Sequence, residues 1–238
     1  NADLARLVYS YSYGPSYISL VILNNENCMI NKVLEIKQNS DKESLYETLD
    51  NIVVSDSGNH IFYTASYPTT IMKDGKPMTV YEGGMYELSY VNDVWAGPKP
   101  IVVEGYTAIK PLDTAKDGDL LLMRAFQKGV SILRRTDEGW SAPVNFSENT
   151  SGFNQYRISA DGQVIAVAQA RLPLPPTGSD APLYFDISIY FFDENNPKLY
   201  TKHSLTNPDV YSLGHLLLSR DGTRLFWKPE VKSGLWLY

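Results

Sequence analysis

Histidine is the side chain best suited to proton transfer near neutral pH and to metal ligation. The 238-residue chain holds three, His60, His203 and His215. No two of them stand at a ligand spacing such as His-Glu-x-x-His, so each reads as a solvated or hydrogen-bonded single residue. Cys28 follows the turn-like stretch Asn24-Asn-Glu-Asn27, and no motif around it marks a nucleophile. As the only cysteine it excludes an intrachain disulfide and a Cys-rich zinc site. Carboxylates could do glycosidase chemistry as a well-placed pair. Asp193-Glu194 falls in a turn, and Asp180 and Asp186 flank an insertion, so none of these singles out such a pair. There is no Gly-x-Ser-x-Gly elbow, P-loop, dinucleotide fingerprint or Asp-x-Asp-x-Asp calcium loop. The sequence therefore assigns no catalytic residue, no metal and no cofactor.

The elements that would carry these residues are strands. The chain has 17 Tyr, 8 Phe and 4 Trp, types that favour extended backbone. A 43% apolar and 20% charged composition argues against wholesale disorder. The net charge of −6 argues against nucleic acid as a partner. The longest apolar run, Tyr17 to Leu23, is too short to span a bilayer. Tyr9, Tyr11 and Tyr13 alternate with serines and so share one strand face. They read as packing between neighbouring sheets in preference to a ligand-stacking platform. Asn145-Phe-Ser and Asn149-Thr-Ser are glycosylation sequons, meaningful only in a eukaryotic secretory host.

Four segments share one grammar: Val54-Ser-Asp-Ser-Gly-Asn-His-Ile-Phe-Tyr63, Thr114-Ala-Lys-Asp-Gly-Asp-Leu-Leu-Leu-Met123, Ile158-Ser-Ala-Asp-Gly-Gln-Val-Ile-Ala-Val167 and Leu218-Ser-Arg-Asp-Gly-Thr-Arg-Leu-Phe-Trp227. Each reads as a strand end, a tight turn with Gly in positive φ, and a second apolar strand. A degenerate copy at Asn1–Tyr9 has Leu4 in the glycine position. The turns recur about every 45 to 60 residues, the length of one propeller blade of four strands. With strands lettered A to D, the glycine turn joins A to B. The apolar strand C follows at Tyr17–Leu23, Gly84–Tyr90, Val130–Arg134, Phe185–Phe192 and Leu235–Tyr238. The fold expected is all-β: a β-propeller of four-stranded antiparallel blades, about five of them, over residues 1–45, 46–104, 105–150, 151–206 and 207–238.

These features resemble the TolB-type (WD40-like) propeller repeat of bacterial cell-envelope and secreted proteins. The resemblance rests on the Ser-x-Asp-Gly hairpins, on Glu138-Gly-Trp-Ser-Ala-Pro-Val-Asn145 followed by Asn154-Gln-Tyr-Arg-Ile-Ser-Ala-Asp-Gly162, and on Gly83-Gly-Met-Tyr-Glu-Leu with Val94-Trp-Ala-Gly-Pro98. Ser57 replaces the usual Asp, and the first segment shows no strand A. Counted in this way, the first blade lacks strand A and the last lacks strand D. The expectation is five blades of a propeller of six or more, and the rival is a five-bladed ring with one irregular blade.

Two long B–C connections fall outside the repeat: Tyr67 to Gly83, with Tyr81, and Arg171 to Leu183, with Asp180. In a propeller both leave from the same end, opposite the A–B turns. Loops on a rigid scaffold carry function, so Tyr67, Tyr81, Arg171 and Asp180 are the candidate binding residues. The expected function is non-enzymatic: a scaffold making protein or glycan contacts. The resemblance implies an extracytoplasmic location, whether periplasmic, outer-membrane-associated or secreted. The alternatives are the accessory propeller of a prolyl-oligopeptidase-like serine peptidase and a glycan-processing propeller enzyme.

Overall fold

The fold was examined in a computed structural model, which describes residues 6–12, 17–24, 30–37, 48–92, 94–147, 154–171, 184–192, 200–205, 213–229 and 236–237. They form antiparallel sheets in which strands adjacent in sequence pair with one another. The first sheet is β1 (Arg6–Ser12), β2 (Tyr17–Asn24) and β3 (Ile30–Lys37). The second is β4 (Thr48–Val54), β5 (His60–Lys73), β6 (Lys76–Val91) and β7 (Val94–Ile101). The third holds β8 (Lys110–Ala115), β9 (Leu120–Ala125) and β10 (Gly129–Thr136), edged by β11 (Gly139–Trp140) and β12 (Val144–Ser147). The fourth is β13 (Gln155–Ile158), β14 (Val164–Ala170), β15 (Phe185–Phe192) and β16 (Tyr200–Ser204). The fifth is β17 (Leu213–Leu218), β18 (Leu225–Pro229) and β19 (Trp236–Leu237). This is the architecture of a partial β-propeller. Cys28, Tyr13, Leu4, Asp193 and Glu194 lie outside the described residues.

The repeated turns are stabilised by their own side chains. In the fourth sheet Ser159 Oγ accepts the Val164 N–H at 2.9 Å and donates to Asp161 at 2.5 Å. Asp161 in turn accepts the Gln163 N–H at 3.0 Å, as an Asx turn does. Ser219, Asp221 and Thr223 repeat this arrangement in the fifth sheet. The third turn departs from the shared grammar, because Ala115 stands where the others have serine. The turn winds instead through positive φ at Lys116 (48°), Asp117 (51°) and Gly118 (97°). Asp117 has no local serine to hold it and turns to the second sheet. There it accepts the Ser57 N–H at 3.1 Å and the Ser57 hydroxyl at 2.5 Å. The two departures from the repeat, Ser57 and Ala115, thus complement each other across a seam.

Glycine links each turn to the sheet before it. A Cβ on Gly118 would lie 2.8 Å from the His60 ring, one on Gly162 3.2 Å from Leu120, and one on Gly222 3.0 Å from Val164. The absent side chain is the seat of a residue from the preceding sheet. Backbone bonds complete the row: Lys116 N–H to the Ala160 carbonyl, and Ala160 N–H to the Arg220 carbonyl, each at 2.7 Å. The Arg220 guanidinium then pairs with Asp56, bringing the fifth turn back to the second.

Between the sheets, alternation sorts side chains to two seams. On β9, Leu120 and Leu122 face the seam with the fourth sheet, where they meet Ile158, Ile165 and Val167. Leu121 and Met123 face the seam with the second, against Phe62 and Met85. All four are buried, each contributing roughly 1.5–3 kcal/mol. On β14, Ile165 and Val167 point back while Ala166, Ala168 and Ala170 meet Leu216 and Trp227 of the fifth sheet. Trp95 and Trp140 occupy equivalent positions and cover equivalent seams. Tyr63 and Tyr156 are buried in these cores.

Candidate functional site

Strand direction alternates, so each sheet has a turn end, carrying the A–B and C–D turns, and a loop end, carrying the B–C and D–A connections. The two ends differ in chemistry. At the turn end the second and third sheets share a charged cluster. Glu87, on β6, is only 7% exposed. It accepts from His60 Nδ1 at 2.8 Å and from both terminal nitrogens of Arg135, at 2.7 and 3.2 Å. Arg135 also donates to Asp119 at 3.1 Å and to the Gly118 carbonyl at 3.1 Å. Its guanidinium stacks 4.7 Å from the Trp140 ring centre. Burial alone would raise the Glu87 pKa, but the hydrogen bonds from His60 and Arg135 outweigh it and hold the carboxyl below its ordinary range.

A histidine held by a carboxylate is the orienting half of a general-base pair. Here, among the described residues, no side-chain hydroxyl or thiol hydrogen-bonds the His60 ring, and Glu87 is shared with an arginine. The cluster's geometry is that of an interlock between two sheets. Sequence reading placed His60 as an isolated residue after a turn and missed Glu87 and Arg135. The available signal was a charged residue inside the strand-C pattern Met85-Tyr-Glu-Leu88. The three histidines lie on β5, β16 and β17, in three different sheets. Among the described residues no group of three His, Cys, Asp or Glu side chains could hold a metal ion.

Among the described residues the loop end carries exposed apolar side chains. The β7–β8 connection alternates: Ile101 and Val103 are buried, while Val102 between them is 81% exposed. The Phe126 N–H, in the β9–β10 turn, bonds to the Thr107 carbonyl of that connection, at 3.3 Å. Its ring nonetheless points outward, 64% exposed. Lys128 lies over the Tyr106 ring at 5.4 Å, a cation–aromatic contact between the same two connections. Tyr184, at the start of strand C in the fourth sheet, is also exposed.

Of the expected binding residues, Arg171 follows β14 directly. Its N–H bonds to the Tyr184 carbonyl at 2.9 Å, its Nε donates to Asp186 at 2.7 Å, and its guanidinium lies 6.0 Å from the Tyr184 ring centre. These contacts hold together the base of the fourth sheet's B–C excursion. Asp180 lies outside the described residues. Tyr67 and Tyr81 correct the expectation of a loop. The stretch from Tyr67 to Gly83 is a continuation of β5 and β6, in register from Ser66↔Gly83 out to Lys73↔Lys76. Asp74 and Gly75 close it with φ of 52° and 73°, the conformation a two-residue hairpin needs. Lys73-Asp-Gly-Lys76 between Thr- and Met-containing strands was the sequence signal for this turn. Tyr67 and Tyr81 sit at the base of the resulting ribbon, opposite Glu82 and Pro68. Arg171 belongs to a sheet two further along the chain.

No family model matches the chain, and no curated protein matches it. Solved structures do, through their fold. An oligogalacturonate lyase in complex with manganese aligns with a TM-score of 0.52 at 10% identity, over 94% of this chain and 56% of its own. The β-propeller domain of the Trilobed protease from Pyrococcus furiosus aligns with a TM-score of 0.49 at 15% identity, over 97% of this chain and 64% of its own. The Cps50 (Swd1) β-propeller domain of Myceliophteria thermophila aligns with a TM-score of 0.45 at 10% identity, over 98% of this chain and 85% of its own. The chain thus spans less than two thirds of the lyase and of the protease domain. Among the described residues no helix is long and apolar enough to cross a membrane. With its consecutive antiparallel blade-like sheets, and the alignment to the lyase, the chain has the β-propeller fold.

Proposed function

We propose that this is a non-enzymatic binding and scaffolding propeller of the TolB type, which engages protein or glycan partners through its loop end. One observation carries the proposal: Val102 and Phe126 are large apolar side chains left in water on two loop-end connections that the Phe126 N–H to Thr107 carbonyl bond ties together. Exposed apolar groups on two joined connections are where a contact patch can form. The turn end, by contrast, spends its charges on itself. The TolB assignment and the extracytoplasmic location rest on the resemblance of the turn and Trp-x-x-Pro segments. Fractionation of the native host tests the location.

The binding role is tested by affinity capture from the host's envelope fraction with the wild-type chain and with the V102D/F126D variant. The expected result is a protein or glycan retained by the first and lost by the second, with unchanged thermal unfolding. Identical capture by both would remove the loop end from the function. Turnover of a glycan by the purified chain would replace the binding reading with a catalytic one.

A further inference from the structure

The β5–β6 ribbon reaches well beyond its sheet. Among the described strands, β4 pairs with β5 only as far as Ser66, and β7 meets β6 from Met85. From Tyr67↔Glu82 to Lys73↔Lys76 the ribbon is therefore two-stranded, projecting roughly 20 Å. Alternation sorts its tip into two faces. Ile71, Met78, Lys73 and Lys76 share one, and Met72 and Pro77 the other. Every residue from Thr70 to Met78 is exposed, Met72 by 69%. Apolar groups on both faces suit a cleft that grips the ribbon, and a flat surface would reach only one of them.

Two further features narrow the occupant. Lys73 and Lys76 are direct cross-strand partners, a like-charge pair that destabilises an isolated hairpin and is relieved by an anionic neighbour. Pro68 and Pro77 belong to pairs that alternate with Lys73↔Lys76, whose backbone groups face away from the ladder. They remove outward donors without costing the ribbon a bond, which blunts strand addition at its edges. Recognition then falls to side chains. The tip carries one carboxylate, Asp74, between its two lysines, whereas a basic segment that holds to anionic lipid takes a cluster of about four or more Lys or Arg. A protein is therefore favoured over a membrane as the occupant.

We infer that the ribbon tip docks into an acidic protein cleft, with Lys73 and Lys76 against carboxylates in its depth and Ile71, Met78 and Met72 against apolar walls on its two sides. This rests on the loop-end reading above and names the partner's chemistry. The probe is a fluorescein-labelled peptide alternating glutamate with leucine, compared with its lysine–leucine counterpart by fluorescence polarisation. The acidic peptide is expected to bind, and the basic one not. Affinity should fall about tenfold or more in K73E/K76E, similarly in M72S/M78S, and on raising salt from about 50 to about 500 mM. Thermal unfolding of both variants should match the wild type. Equal binding of the two peptides, no binding of either, or undiminished binding by K73E/K76E overturns the inference. So does binding to phosphatidylserine vesicles in place of the peptide, or self-association through the ribbon in sedimentation. If V102D/F126D abolishes partner capture while the ribbon variants leave it intact, the loop-end reading stands and the ribbon docking falls.

Discussion

The two ends of the sheets differ in whether their side chains find partners within the chain. At the turn end, Glu87, Arg135, His60, Asp117 and Ser57 find partners in a neighbouring sheet. At the loop end, Val102, Phe126 and Met72 stand in water, and the ribbon's two lysines face each other. Left-handed glycines occur at both. Gly118 at φ 97° is pressed against His60, while Gly75 at φ 73° has nothing within 4 Å of a built Cβ. Conformation alone does not tell a structural turn from a presenting one; the neighbour does. A side chain already paired within the chain gains little from a partner, whereas an uncovered apolar side chain does.

The sharpest way to break this contrast is to make one change in both places. Gly118→Ala combines left-handed strain with overlap of the His60 ring and should cost about 3 kcal/mol or more, read by chemical denaturation. Gly75→Ala keeps only the strain and should cost about 1–2 kcal/mol. Equal costs would remove the distinction between the two turns. Next comes the buried carboxylate. Glu87→Gln takes from Arg135 its buried ion partner, leaving only the exposed Asp119, and should cost about 1–3 kcal/mol at pH 7.

The same residue predicts a pH response. The folded pKa of Glu87 is held below its ordinary 4.5, so its contribution is fully present above that value and is lost as pH falls through the folded value. Denaturation midpoints should drop on acidification in the wild type and drop less in Glu87→Gln. Asp113 has the opposite sign. Burial raises its pKa, outweighing the hydrogen bonds it accepts from Ile158 and Thr114. Its protonation therefore favours the fold as pH falls from its folded pKa towards 3.8. Asp113→Asn should remove that component and leave the slope from Glu87 steeper. The smallest expected effect lies at the loop end: Phe126→Ser should change stability by no more than about 0.5 kcal/mol while weakening partner capture.

Much of the fold was legible because its signals are local. Asp161-Gly162 and Asp221-Gly222 prescribe a turn wherever they occur, and the alternation along Leu120–Met123 needs only period two. The third turn was read too uniformly. Ala115 in the serine position changes the backbone path, and its compensation is the bond from Ser57 to Asp117, sixty residues apart. The cluster around Glu87 was invisible for the same reason: its members come from β5, β6 and β10, and no spacing rule connects them. Tyr67 to Gly83 reads as a loop from its Thr, Tyr, Pro and Gly content. The two prolines fit a ribbon because they stand at outward-facing pairs, a matter of register that composition does not carry.

The seating of each turn glycine against the sheet before it bears on how such a chain could be recombined. A cassette cut at sheet boundaries would carry Gly162 away from Leu120, or Gly222 away from Val164, and pair each with an unmatched neighbour. The exchangeable unit is offset from the visible one. It runs from the second strand of one sheet to the first turn of the next, so that socket and plug travel together. Grafts made in that phase should join cleanly, and grafts made sheet by sheet should fail at the seam.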